Sequence, residues 1–201
     1  MNDLPVRLAA RVVLLDPDDR VLLMRYDDGP PNGSHWTTPG GGLNEGENFP
    51  AAALRELAEE TGWSDIPLGA EVLRRTWSME YAGRLVQQRE RLYLARTSVP
   101  GREIHGVDAM HATDGIAAWR WWTLAELDAT SETVWPTGLA SLIRQALSQH
   151  EADTANAMGE VTTMKREYEL RFITLEKDVG ILDEKSRMLV TSYELEQRLQ
   201  T

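Results

Sequence analysis

From Val6 to Leu15 apolar and β-branched residues run almost unbroken, interrupted by Arg7 and Arg11, and this pattern predicts a strand. Asp16-Pro17-Asp18-Asp19 reads as a turn, and residues 21–25 as a returning strand. Residues 26–35 are rich in Asp, Gly and Pro, which predicts a loop leading to Trp36 and the glycine turn Pro39-Gly40-Gly41-Gly42. At Pro50 the period changes to that of a helix. Ala53, Leu54, Leu57 and Ala58 form an apolar stripe, Pro50 suits a first turn, and Gly62 supplies a stop. Residues 71–81 and 85–97 then predict a hairpin around Ala82-Gly83-Arg84, and residues 100–115 a polar loop. A short tryptophan-rich strand over 117–123, a helical turn over 124–127 and an amphipathic helix over 139–147 complete the series. Strands before and after one helix, with a helix to close, predict an α+β sandwich.

The pattern changes again after this point. Residues 151–160 are small and polar and read as a linker. Beyond them Tyr168, Phe172, Leu175, Val179, Leu182, Leu189 and Tyr193 follow 4-3-4-3 spacing, with Ser186 at the polar seam position. That spacing predicts a helical extension over 161–201, able to pair with a second copy as a homodimer or to pack on its own domain. Alternation at Tyr168, Leu170 and Phe172 favours a strand instead, and Gly180 weakens a long helix. The heptad accounts for more of the segment. Residues 1–150 thus form one domain, and composition agrees. They hold fourteen arginines and no lysine, whereas Lys165, Lys177 and Lys185 all lie in the extension. The seven tryptophans all fall at or before Trp135.

A net charge of −11 argues against binding long nucleic acids, which requires a basic surface. No run is apolar enough for a membrane span, and no basic-then-apolar start marks a secretory signal. The absence of cysteine removes disulfides and thiol chemistry and fits a cytoplasmic protein. An acidic protein that handles phosphates must neutralise them locally, with metal ions and placed arginines.

Chemistry concentrates between Gly41 and Trp63. Glu56, Glu59 and Glu60 lie three and four residues apart, so on a helix their carboxylates share a face. Like charges so clustered call for a cation, and oxygen-only ligation suits Mg²⁺ or Mn²⁺ rather than zinc. Gly41, Glu47, Arg55, Glu56, Glu59, Glu60 and Gly62 meet every fixed position of the signature G-x5-E-x7-R-E-U-x-E-E-x-G-U. Leu57 fits the first aliphatic U and Trp63 departs from the second. The stretch therefore resembles the Nudix (MutT-like) hydrolases.

That resemblance implies an α/β/α sandwich with a mixed sheet and hydrolysis, by water, of a nucleoside diphosphate linked to another group. It implies Glu56, Glu59 and Glu60 as metal ligands, with the Gly41 carbonyl as a backbone ligand. Arg55 would orient a glutamate, and Glu47 would support the loop. Some relatives use a base outside the motif. Asp114, just before the tryptophan strand, is the candidate here among Glu103, His105, Asp108, His111 and Asp114. With no lysine in the domain, Arg25 is the leading phosphate contact, followed by Arg89 and Arg91; Trp36, Trp77 and Tyr81 are candidates to stack on a base. Tyr81 stands where dinucleoside polyphosphate hydrolases of the family carry a tyrosine, so such a substrate is an alternative. No proline stands where ADP-ribose hydrolases carry one. The related isopentenyl diphosphate isomerases need a cysteine that this chain lacks. A second alternative is a nucleotide-sensing module assembled through the tail, although sensors often lose the glutamates that are complete here.

Overall fold

A computed structural model describes residues 4–27 and 33–199. Residues 28–32 of the anticipated 26–35 loop lie outside the described ones. The central strand is β1 (Val6–Leu15), paired in parallel with β6 (Arg84–Arg96) from Val6↔Gln87 to Leu15↔Arg96. β5 (Leu68–Tyr81) pairs antiparallel with β6 through the turn at Ala82 and Gly83. On the other side β2 (Val21–Asp27) joins β1 at Leu15↔Val21. β3 (Ser34–Thr37) follows β2, and β8 (Val134–Trp135) pairs with β3. Two short additions lie off this path: β4 (Gly40–Gly42) on β1, and β7 (Ile116–Trp122) on β2. The result is one mixed sheet in the order β5-β6-β1-β2-β3-β8.

Helices cover this sheet on two sides. α1 (Phe49–Thr61) begins with Asn48 accepting the Ala51 N–H and ends at Gly62 in the left-handed conformation. Ala52, Ala53 and Leu57 of α1 bury against Ala10, Val12 and Leu14 of β1. The anticipated stripe is corrected in two respects: Leu54 is exposed, and Ala52 takes its place in the core. The buried line runs through residues 53, 57 and 60, so Glu60 lies within the buried side of the helix, apart from Glu56 and Glu59. Trp63, the departure from an aliphatic residue, stacks on Trp121 with ring centroids 6.4 Å apart, beneath the Arg102 guanidinium. The opposite cluster joins Val13, Leu23, Leu92 and Trp122 to Leu139 and Ile143 of α4 (Leu139–Leu199). α3 (Leu124–Ala129) is fixed by a capping box between Thr123 and Glu126. Helices on two sides of a mixed sheet make the α+β sandwich that the sequence predicts.

Two expectations change. The polar loop over 100–115 contains α2 (Asp108–Asp114). Residues 151–160 are helical, inside α4, because they combine helix formers with no proline, and polarity alone does not end a helix. The chain divides into Met1–Leu147 and Ser148–Thr201. The second unit is helical as far as it is described. Among the described residues no helix is long and apolar enough to cross a membrane.

Candidate active site

α1 carries its carboxylates on a frame set by Arg55. The Arg55 Nε and Nη2 groups donate to Glu47 at 2.9 Å each, and Nη1 donates to Glu56 Oε1 at 3.0 Å and Glu59 Oε2 at 2.8 Å. Nη2 also donates to the Gly42 carbonyl at 2.8 Å. Every guanidinium N–H is thereby engaged, which leaves Arg55 none for a substrate. Glu47 accepts the Asn44 N–H as well, and Arg55 first, then Asn44, hold its carboxyl below the usual range. Glu56 is pushed up by burial, with Glu59 adding to the shift and Arg55 opposing it.

Replacing Arg55 with methionine strips a shared donor from three carboxylates and a carbonyl. Thermal unfolding should show a loss of about 2–3 kcal/mol, the scale of hydrogen bonds to charged groups. Lysine should fail to restore it, since one ammonium cannot span the same acceptors.

Glu60 behaves differently from its neighbours. Its carboxylate turns inward to accept the Tyr26 hydroxyl at 2.6 Å and the Gly40 N–H at 2.9 Å. Burial pushes it up to about 7, against the Tyr26 hydrogen bond, Arg11 and the Gly40 N–H; Glu56 adds to the rise. The native state thus holds this proton more tightly than the unfolded chain does. Its stabilising contribution is full below pH 4.5 and is lost as pH rises towards 7. In EDTA, Tm should therefore decline more steeply from pH 5 to 8 for the wild-type chain than for Glu60→Gln. Parallel curves would show that Glu60 is not the titrating group.

A cleft of about 690 Å³, within the range of small-molecule sites, opens without a motif carboxylate in its lining. Its lining includes Arg11, Thr37, Arg75, Gln88, Glu90 and Trp135. Glu90 is fully buried yet accepts from Arg11 Nε at 2.8 Å and Arg75 Nε at 2.6 Å. Arg11 also donates to the Thr38 and Gly40 carbonyls at 2.8 and 2.9 Å. Burial works against the charge of Arg11, but Glu90 and then Tyr26 and Glu60 outweigh it and keep the guanidinium protonated. Gly40 thus joins the cleft, through Arg11, to the motif helix, through Glu60.

The anticipated substrate residues lie elsewhere. Trp36 is buried core, edge-on to Trp122, with its indole N–H on Glu132, and offers no face for stacking. Tyr81 is exposed at the hairpin end under the Arg7 guanidinium, outside the cleft lining. Arg89 alternates with the inward Gln88 and Glu90, so it points away from the cleft and bonds Gln87. Its neighbour Arg91 stacks over Phe49. Among the described residues Arg25 bonds the Ser34 hydroxyl, at 3.4 Å, and it is outside the lining. Asp114 is exposed at the end of α2, with no hydrogen bond or ion pair to the motif carboxylates. Trp77 does line the cleft, beneath Arg75.

The sequence reading missed Arg11, Arg75, Gln88 and Glu90 as a group. A signal was present. Gln88 and Glu90 occupy the inward positions of a strand between Val86 and Leu92, and polar side chains there require partners.

Comparison with known proteins identifies the family. Residues 5–145 match the NUDIX domain. An RNA pyrophosphohydrolase of Cereibacter sphaeroides is 33% identical over 132 residues, which cover 59% of this chain and 76% of that protein. One from Novosphingobium aromaticivorans is 33% identical over 142 residues, 60% of this chain and 82% of its own. Among solved structures, a MutT protein from Methanosarcina mazei superposes with a TM-score of 0.55 at 15% identity, over 75% of this chain and 98% of its own. The domain match covers most of the chain, and the complete glutamate set lies inside it: the chain belongs to the Nudix family and is a Nudix pyrophosphohydrolase.

Proposed function

We propose that the chain uses a divalent cation, Mg²⁺ or Mn²⁺, to hydrolyse the pyrophosphate linkage of a nucleoside diphosphate derivative. The observation that carries this reading is the shared Gly40. Its carbonyl accepts from Arg11 of the cleft and its N–H donates to Glu60 of α1, so one backbone residue links a cationic cleft to the motif helix.

The residues fit such a cation. Their donors are oxygens only, and a Cβ at Gly41 would stand 2.6 Å from Glu56 Oε1, so glycine leaves the carboxylate room beside the backbone. Among the described residues no three acidic or imidazole groups converge on one point. Glu56 and Glu59 gather instead on Arg55, and Glu60 is committed to Tyr26 and Gly40. Glu56, Glu59 and the Gly41 carbonyl would hold the ion, with Glu60 joining once it leaves its inward partners. A bound cation supplies charge neutralisation and a lowered pKa for water.

This chain's own groups do the rest. Arg55 keeps Glu56 and Glu59 at fixed spacing, and Arg11 and Arg75 offer positive charge to the phosphates. A motif carboxylate accepts the proton of the attacking water, and Asp114 is the candidate base from outside the motif. A cytoplasmic setting fits a nucleotide substrate and a chain without cysteine.

A second reading within the class is a nucleotide at the 5′ end of an RNA, favoured by the RNA pyrophosphohydrolases to which the chain is similar. A substrate panel decides between them. It comprises nucleoside triphosphates, a nucleotide sugar, a dinucleoside tetraphosphate and a 5′-triphosphate RNA, each assayed for released phosphate or pyrophosphate. Preferred release from a free nucleotide supports the first reading, and preferred release from the RNA replaces it with the second. No release from any would overturn the proposal.

A further inference from the structure

The helix beyond the domain carries exposed apolar side chains. Met158, Val161, Tyr168, Leu175, Val179 and Leu189 are each at least 60% exposed. They fall in one register. Positions 161, 168, 175, 182 and 189 repeat every seven residues, and so do 158, 165, 172, 179, 186 and 193, three residues before or four after the first set. The first set reads Val-Tyr-Leu-Leu-Leu and the second Met-Lys-Phe-Val-Ser-Tyr. The seam therefore begins at Met158, earlier than the 4-3-4-3 run from Tyr168, and Lys165 and Ser186 are its polar interruptions. The side chains of Phe172, Glu176, Leu182 and Tyr193 lie outside the described ones and enter only as sequence positions.

We propose that this seam is covered by a second copy of the same chain, in a parallel two-stranded coiled coil in register. Four observations select that occupant. An isolated helix gains most of its stability from packing, so an exposed seam this long needs a partner. Leucine at successive d positions with valine and single polar residues at a favours two strands, and the polar a residues fix register by facing their own copies. Charge favours the parallel arrangement. The e column (Glu169, Glu176, Asp183) is acidic, and an antiparallel pair would set it against itself. A parallel pair sets Arg171 against Glu176 of the second copy and leaves only Asp178 against Asp183 repulsive. Finally, pairing from residue 158 to 193 buries on the order of 1,500 Å², the size of a standard specific interface.

The chain has no cysteine, so one introduced thiol reports without background. Full-length protein should sediment at twice the 22.6 kDa chain mass. Full-length Ser186→Cys, under mild oxidation, should form a single covalent dimer, because opposed a positions meet in a parallel pair. Leu175→Asp with Leu189→Asp should return the mass to that of one chain while the domain's unfolding transition stays in place. A wild-type mass of one chain would overturn the proposal. A double mass without the Ser186→Cys cross-link would overturn the parallel register.

Discussion

Glu59→Gln is expected to lower kcat by about 10²–10⁴ without changing the unfolding temperature. The substitution keeps size and polarity and removes one negative charge. Glu59 is partly exposed, and among the described residues its one bond is from Arg55 at 2.8 Å, so the fold loses little. A cation held by one carboxylate fewer would be bound more weakly and placed less well. Several kcal/mol of transition-state stabilisation rest on such an ion, and each 1.4 kcal/mol is tenfold in rate. Steady-state phosphate release, recorded beside a thermal melt, separates the two effects. A fall in Tm matching the fall in rate would instead mark Glu59 as structural.

The largest stability effect should come from Glu90→Ala, at about 3–5 kcal/mol, the typical cost of removing one partner from a buried ion pair. Glu90 is 1% exposed and is the shared acceptor of Arg11 and Arg75, which would both be left without their acid. Arg11 is the more costly of the two, because its remaining acceptors are backbone carbonyls that carry no full charge. Equilibrium denaturation in urea measures the loss. Glu90→Leu combined with Arg75→Met should recover part of it by removing one orphaned cation along with the acid. A loss below 1 kcal/mol for Glu90→Ala would mean that water replaces the carboxylate at no great cost.

The site divides into a part the sequence discloses and a part it hides. The gathering of Glu56, Glu59 and Arg55 was legible because a helix turns a spacing of three or four into adjacency, and the roles given to them here come from resemblance to a signature. The hairpin expected over residues 71–97 was legible because alternating apolar positions flank Ala82-Gly83. The cleft was not. Glu90 meets Arg11 across 79 residues of chain and Arg75 across 15, through a parallel pairing of β1 with β6 that no local pattern announces. The directions of Trp36 and Arg89 were hidden for a related reason. A strand side chain shifted by one position faces the other way, and only the register of the sheet decides which way that is. The inward turn of Glu60 was hidden too, because it depends on Tyr26 and Gly40 from two other segments. Residues 151–160 were misjudged by polarity where helix propensity was the better guide.

The central claim is that the carboxylates of α1 act through a divalent cation on a pyrophosphate bond. It is tested most directly by wild-type turnover of the panel's best substrate with Mg²⁺ titrated against EDTA. The account predicts hydrolysis that rises with free Mg²⁺ to saturation and vanishes in excess EDTA. Turnover in EDTA equal to that in Mg²⁺ would contradict it.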